Sequence, residues 1–344
     1  MKTAVLHEWK KFTMEVGPIP TPASDEVVIR VAYTGICGSD VHSFEGKHPT
    51  AQLPLVVGHE FSGYIESAGS GVNGLAHGDR VCAHIIRSCG VCEACIAGHA
   101  NLCRNLKVMG TQIPGCFAEY VAVPASKVYK LRPDADLRMF ALAEPLAVGS
   151  YATMESGMTL GKSAFVIGGG PIGICCGLSA RMAGATDVVF SEVSPQRIEF
   201  LKSFGFRVMN PMEGDAQKTA MELSGGRGYD VVYETSGVPA GSELVARIGA
   251  VRSTGMMVAI TNKPQPIDTW AMIRNEMRLK TIRVHQQPAY EAAVRMIESG
   301  VINEDLKKLI THEFSFEQLQ EAFDFSVADT THCKVMIDFH VDKA

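Results

Sequence analysis

The sequence contains no run approaching the roughly 18 apolar residues that a membrane-spanning helix needs. The nearest, SAFVIGGGPIGICCGLSA at residues 163–180, is broken by glycines. A membrane partner is therefore not expected. The opening residues, MKTAVLHEWKKF, form a short apolar alternation followed by charge and lack the apolar core and small-residue cleavage site of a secretion signal. A cytoplasmic protein is the expectation. No basic stripe is present: lysines and arginines are scattered and the net charge is −5, which argues against a nucleic-acid partner. Internal repeats and low-complexity linkers are absent as well. What remains, 344 residues that are 46% hydrophobic and 20% charged, is ordinary globular material long enough for about two domains.

Cysteine is abundant locally. Four of the ten fall within SCGVCEACIAGHANLC, residues 88–103, as Cys89, Cys92, Cys95 and Cys103 in the pattern C-x2-C-x2-C-x7-C. In a reducing compartment clustered cysteines are more often metal ligands than disulfides, and four thiolates suit a tetrahedral zinc. Gly90 and Gly98 ease the turns between them. An iron–sulfur cluster is the competing reading, but its pattern continues C-x3-C-P, whereas here the last cysteine comes later and no proline follows. Four cysteines fill every tetrahedral position, so this zinc is expected to be structural and the chemistry to lie elsewhere.

A second set of metal-binding residue types appears upstream, as Cys37 in GICGSDVH and His59 and Glu60 in GHEFSG. A lone cysteine is usually a small core hydrophobe, and an isolated His-Glu pair is usually a solvated turn. Together, flanked by Gly35, Gly38, Gly58 and Gly63, they suggest a catalytic zinc with an open coordination position. Zinc acidifies a bound water or alcohol, and the released proton must leave the pocket. A hydroxyl at Ser39 and an imidazole at His42 are suited to carry it.

A dinucleotide site is also legible. An apolar strand from about Ala164 to Ile167 precedes Gly168, Gly170 and Gly173 in G-x-G-x-x-G spacing, with Pro171 and Ile172 opening a helix. Such glycines let the backbone approach a pyrophosphate lying on the helix N-terminus. Glu192, nineteen residues beyond Gly173 in DVVFSEVS, is placed to accept the adenosine ribose 2′-hydroxyl and to repel a 2′-phosphate. NAD is favoured over NADP. Strands and helices then alternate to YDVVYET, after which Gly237 opens a loop toward the cofactor. The alternation continues through GMMVAI to a last strand near LKTIRV. This is an α/β pattern with a doubly wound parallel sheet. Cys175 and Cys176, inside the first helix of this part, read as core.

These motifs resemble those of the zinc-dependent medium-chain dehydrogenases, the alcohol and polyol dehydrogenase family, over essentially the whole chain. The resemblance implies a β-rich GroES-like catalytic domain at 1–147 and 284–344, a Rossmann NAD-binding domain at 148–283, and an active site in the cleft between them. Cys37, His59 and Glu60 align with the catalytic zinc residues. Glu144, in LAEPLAV, stands where many alcohol dehydrogenases carry a cysteine ligand, and a glutamate there is similar to the sorbitol, butanediol and threonine dehydrogenase branch. Which of Glu60 and Glu144 binds the metal is left open. Ser39 and His42 occupy the motif positions of the family's proton relay, and Arg197 in SPQRIEF resembles a neighbour of the adenine. Cys116 departs from the pattern, standing where the family usually has glycine.

The implied activity is hydride transfer from a secondary alcohol, of polyol, sugar-alcohol or sugar-acid type, to NAD. It would use two zinc ions per subunit, a small-molecule alcohol as partner and a homo-oligomeric assembly, dimer or tetramer. An L-threonine 3-dehydrogenase-like activity is the alternative within enzymes. A noncatalytic protein that kept the fold is the alternative outside them, although a binding role needs no proton exit. Phe44, Glu45 and His48 are expected at the pocket mouth, and Arg283 and His285 at the end of the last Rossmann strand.

Overall fold

Runs of apolar residues bounded by glycine and proline become the strands of two sheets. The computed structural model describes residues 1–261 and 263–340. It divides into two units, Met1–Glu144 with Ala293–Ala344, and Pro145–Ala292. Among the described residues no helix is long and apolar enough to cross a membrane.

In the second unit six parallel strands lie in the order Arg207–Met209, Asp187–Ser191, Ser163–Ile167, Tyr229–Glu234, Gly249–Met257, Arg278–Thr281. This is the 3-2-1-4-5-6 order of a doubly wound sheet, whose strand order reverses beside the first strand. That strand, SAFVI, is buried at every position, as a central parallel strand covered on both faces must be. Helix starts are marked by sequence: Gly170 and Pro171 open Pro171–Met182, Ser194 caps Pro195–Ser203, and Asp215 caps Ala216–Leu223. Cys175 and Cys176 are buried in the first of these helices, and burial pushes the Cys176 thiol up to about 12. Two details differ from the pattern reading. The strand expected at GMMVAI already begins at Gly249 and ends at Met257. Its register jumps between Gly249 and Thr254, where Arg252 has φ +59, so an irregular polar stretch hides the early half. The last strand ends at Thr281; Val284 then turns with φ +52, leaving Arg283 and His285 beyond the sheet. His285 is buried, its ring 5.7 Å from that of Tyr290.

In the first unit the seven-stranded sheet is mixed. Glu26–Gly35 is its centre, pairing antiparallel with Glu60–Ala68, with Tyr120–Pro124 and with Lys334–Asp338 from the end of the chain. The core of this unit gathers Leu6, Phe44, Val57, Phe117, Phe323 and Val335. Phe323 stands edge-on to Phe12 at 4.8 Å and to Phe117 at 5.4 Å.

Candidate active site, metal centres and dinucleotide turn

Sheet register brings the upstream ligands together. Gly35, the last residue of its strand, pairs with Glu60, the first of the next, so Cys37 lies beside His59 and Glu60. Ligand atoms of Cys37, His59 and Glu60 lie within 4.8 Å of one another. A side chain at position 35 would have its Cβ 2.1 Å from Glu60 Oε2, so only glycine lets the carboxylate pass.

Two residues that the sequence reading missed hold this cluster. Asp40 is buried; its Oδ2 accepts from the Cys37 N–H at 3.0 Å and its Oδ1 from the Gly58 N–H at 3.0 Å. The same Oδ1 lies 3.3 Å from His59 Nδ1, out of line for a hydrogen bond, so the carboxylate acts on the imidazole through its charge. Burial alone would lower the His59 imidazole, but the charges of Asp40 and Cys37 outweigh it and hold it well above its ordinary range. Lys334 is the other. Its Nζ donates to both oxygens of Glu60, at 2.7 and 2.8 Å, and to the Ile36 carbonyl at 3.1 Å. Burial opposes the ammonium, yet Glu60 first and Cys37 next keep it protonated above its usual range. Burial raises Glu60 above the ordinary carboxylate range, with Lys334 pulling against it and Glu144 adding to it. The two-oxygen contact is that of a carboxylate–ammonium pair.

Glu144 is buried in the first turn of helix Ala143–Ser156 and lies outside the three-residue cluster, although its charge is felt at Glu60. The Ser39 hydroxyl donates to Cys37 Sγ at 3.4 Å. His42 is exposed, three residues further along the same helix and so on its adjoining face. Of the residues expected at a pocket mouth, Phe44 is instead core, its ring 5.4 Å from Phe12 and 5.1 Å from Phe323. The carboxylate of Glu45 accepts from Lys47 Nζ at 2.8 Å, and His48 Nδ1 accepts from the Thr50 N–H at 3.4 Å. Burial first, and His42 next, lower the His48 imidazole. Cys116 is fully buried, and its sulfur sits 3.0 Å from where a Cβ on Gly58 would stand. The thiol fills the space behind the GHE turn, and burial pushes it far up.

In the downstream lobe Cys89, Cys92, Cys95 and Cys103 converge within 4.8 Å, and all are free thiols. Cys92 Sγ lies 3.5 Å from Cys95 Sγ and 3.9 Å from Cys103 Sγ. A tetrahedron with Zn–S bonds of about 2.3 Å has S···S edges of about 3.8 Å, so the sulfurs are already spaced for zinc. Backbone N–H groups reach Cys103 and Cys92. Those of Cys89 and Asn105 donate to Cys103 Sγ at 3.2 and 3.3 Å, and those of Cys95 and Arg104 lower Cys92 to about 6. Desolvation first, and the Cys92 thiol next, instead raise Cys95 to about 11. Gly90 and Gly98 take the left-handed φ values of +74 and +85 that the turns require.

The glycine turn of the second unit fits a dinucleotide. Gly168 has φ +99, Gly170 is the helix N-cap with open space where a Cβ would stand, and a Cβ on Gly173 would lie 2.1 Å from the Gly168 carbonyl. Pro171 and Ile172 form the half-buried first turn above a buried helix body. Glu192 is buried at the end of the neighbouring strand; Oε2 accepts from the Gly169 N–H at 2.8 Å, and Oε1 from those of Val193 and Ser194 at 2.7 and 2.9 Å. Arg197 is half-buried in the first turn of the following helix, its N–H on Ser194 Oγ at 3.4 Å. Gly237, with φ +70, donates its N–H to Glu234 Oε1 at 2.9 Å. Glu234 is buried and takes the Ser236 N–H and hydroxyl on the same oxygen; only the glycine pointed to this loop in the sequence.

A Rossmann-type sheet, a four-thiolate clamp and a Cys-His-Glu cluster define a zinc-binding dehydrogenase. Residues 23–133 match the alcohol dehydrogenase GroES-like domain, and residues 171–299 match the zinc-binding dehydrogenase domain. The chain is 33% identical over 335 residues to the 2-dehydro-3-deoxy-L-galactonate 5-dehydrogenase of Pseudoalteromonas atlantica, with 97% of each chain covered. It is 31% identical over 346 residues to the sorbitol dehydrogenase of Bacillus subtilis, covering 98% of this chain and 97% of that one. A solved structure from Sinorhizobium meliloti bound to NADP superposes with a TM-score of 0.91 at 29% identity, covering 98% of each chain. The chain belongs to the zinc-dependent medium-chain dehydrogenases, and it is an oxidoreductase of alcohols.

Proposed function

We propose that the chain oxidises a secondary alcohol of polyol, sugar-alcohol or sugar-acid type with NAD, in the cytoplasm, as a homo-oligomer carrying one catalytic and one structural zinc per subunit. The observation that carries this is the Cys37–His59–Glu60 cluster with the Ser39 hydroxyl on its cysteine. When bound, zinc supplies Lewis acidity and NAD accepts the hydride. The rest belongs to the protein. Cys37 and His59 hold the metal, Asp40 sets its charge beside His59, and Glu60 and Glu144 are the two carboxylates available to complete the site. Ser39 Oγ receives the alcohol proton and His42 passes it to solvent. Gly168, Gly170, Pro171, Ile172, Gly173 and Gly237 shape the cofactor bed, with Arg197 beside the adenine.

Glu192 supports NAD, because its carboxylate disfavours a 2′-phosphate. Since the Sinorhizobium meliloti structure carries NADP, the coenzyme ratio is the discriminating measurement. Nicotinamide absorbance with each coenzyme, against polyols, sugar acids, sugar phosphates and threonine, tests the reading. It is expected to show NAD reduction with a polyol or sugar acid and little with NADP. Turnover of threonine alone would place the chain on the alternative enzymatic branch. No turnover, with one zinc per chain at the four-cysteine lobe, would make it a noncatalytic relative.

A further inference from the structure

Within the glycine turn one peptide unit is held at both ends. The peptide joining Gly168 and Gly169 gives its N–H to Glu192 Oε2 at 2.8 Å, while its carbonyl accepts from the Thr235 hydroxyl at 3.1 Å. The same hydroxyl has one proton to give and shares it with the preceding carbonyl, of Ile167, at 2.8 Å, which also accepts the Thr235 backbone N–H at 2.9 Å. Glu192 follows strand Asp187–Ser191 and Thr235 follows strand Tyr229–Glu234, the two neighbours of Ser163–Ile167 in the sheet. The restraints therefore come from opposite sides. A peptide is planar, so fixing its C=O and its N–H fixes the orientation of the whole unit. This matters because Gly168 has φ +99 and glycine has many alternatives to such a conformation. Packing adds to the hold: a Cβ on Gly168 would lie 3.1 Å from Thr235 Oγ1, and one on Gly173 2.9 Å from it.

We propose that Thr235 is a positioning residue for the dinucleotide, pinning the Gly168–Gly169 peptide against Glu192 so that the turn is set for the pyrophosphate before the cofactor arrives. This rests on the dinucleotide reading of the turn given above. A consequence concerns Glu192. Its Oε1 already takes two N–H groups and its Oε2 one, so the carboxylate builds the turn as well as facing the ribose. Removing it therefore weakens both coenzymes and does not simply exchange one for the other. Thr235 touches the turn and not the ribose end, so its loss acts on the pyrophosphate, which NADH and NADPH share.

The test is binding of NADH and NADPH to the zinc-loaded protein, read by nicotinamide fluorescence, with thermal unfolding alongside. Thr235→Val, which keeps the shape and removes the donor, is expected to raise both dissociation constants by about three- to tenfold in equal proportion. Thr235→Ser, which keeps the hydroxyl, is expected to return them close to wild type, with the KM for the alcohol unchanged in either variant. Thr235→Ala is read in the same way if the valine variant folds poorly. Wild-type affinity for NADH in Thr235→Val or Thr235→Ala would overturn the proposal while leaving the dinucleotide reading intact. A wild-type protein that binds neither NADH nor NADPH would overturn both.

Discussion

The residues that decide this site are those whose charge is buried. Lys334 and Glu60 form an ion pair with side chains 5% and 1% exposed. Removing one partner strands the other, at a cost of about 3–5 kcal/mol. Lys334→Met is therefore expected to lower the urea midpoint markedly, and Glu60→Gln in the same chain to recover part of the loss. An unchanged midpoint for Lys334→Met would contradict the pairing. His59 leads to a second prediction. Asp40 and Cys37 hold its imidazole well above the ordinary range, so in the metal-free protein they favour the protonated ring against the opposing effect of burial. Zinc must displace that proton, and acid therefore competes with the metal. Zinc affinity of metal-free protein, measured against a chelating dye, is expected to be weaker at mildly acidic than at mildly alkaline pH; a pH-independent affinity would contradict a protonated His59. Neither Asp40 nor Lys334 was legible in the sequence. Asp40 looks like an ordinary first-turn acid of a short helix, and Lys334 is 274 residues from the carboxylate it binds.

Elements carried the legible part. The glycine turn, the four-cysteine lobe and most strands could be read because each announces itself within a few residues, by glycine spacing, cysteine spacing or apolar runs. Contacts that require two distant elements could not. Phe44 ends a helix whose sequence suggests a pocket rim, but that helix packs on Phe12 and Phe323, so the ring goes to the core. LKTIRV reads as strand with Arg283 and His285 at its end, yet the pairing stops at Thr281 and Val284 then turns with φ +52, so both residues lie beyond it. The lobe at 88–103 shows what local spacing can support. Its sulfurs are spaced for a tetrahedral ion, and no ligand position remains for a substrate. Cys103→Ser is expected to lower thermal stability or disrupt assembly first, with turnover falling only as folded protein is lost. Lost hydride transfer in a variant still folded and assembled would make the lobe chemical.

At the scale of the molecule the chain leaves its first unit after residue 144, builds the second, and returns at residue 293. The return supplies the strand Lys334–Asp338 beside Glu26–Gly35, and with it the ammonium that faces Glu60. The Cys37–His59–Glu60 cluster, drawn from residues 37–60, thus depends on the last of the described strands. In the function proposed above, Cys37 belongs to a catalytic zinc site separate from the structural one. Zinc content and NAD reduction of Cys37→Ser, measured on one sample beside wild type, decide this. Two zinc ions per chain are expected to fall to one, with turnover abolished and NADH affinity retained; one zinc per chain with turnover near wild type would rule the catalytic site out.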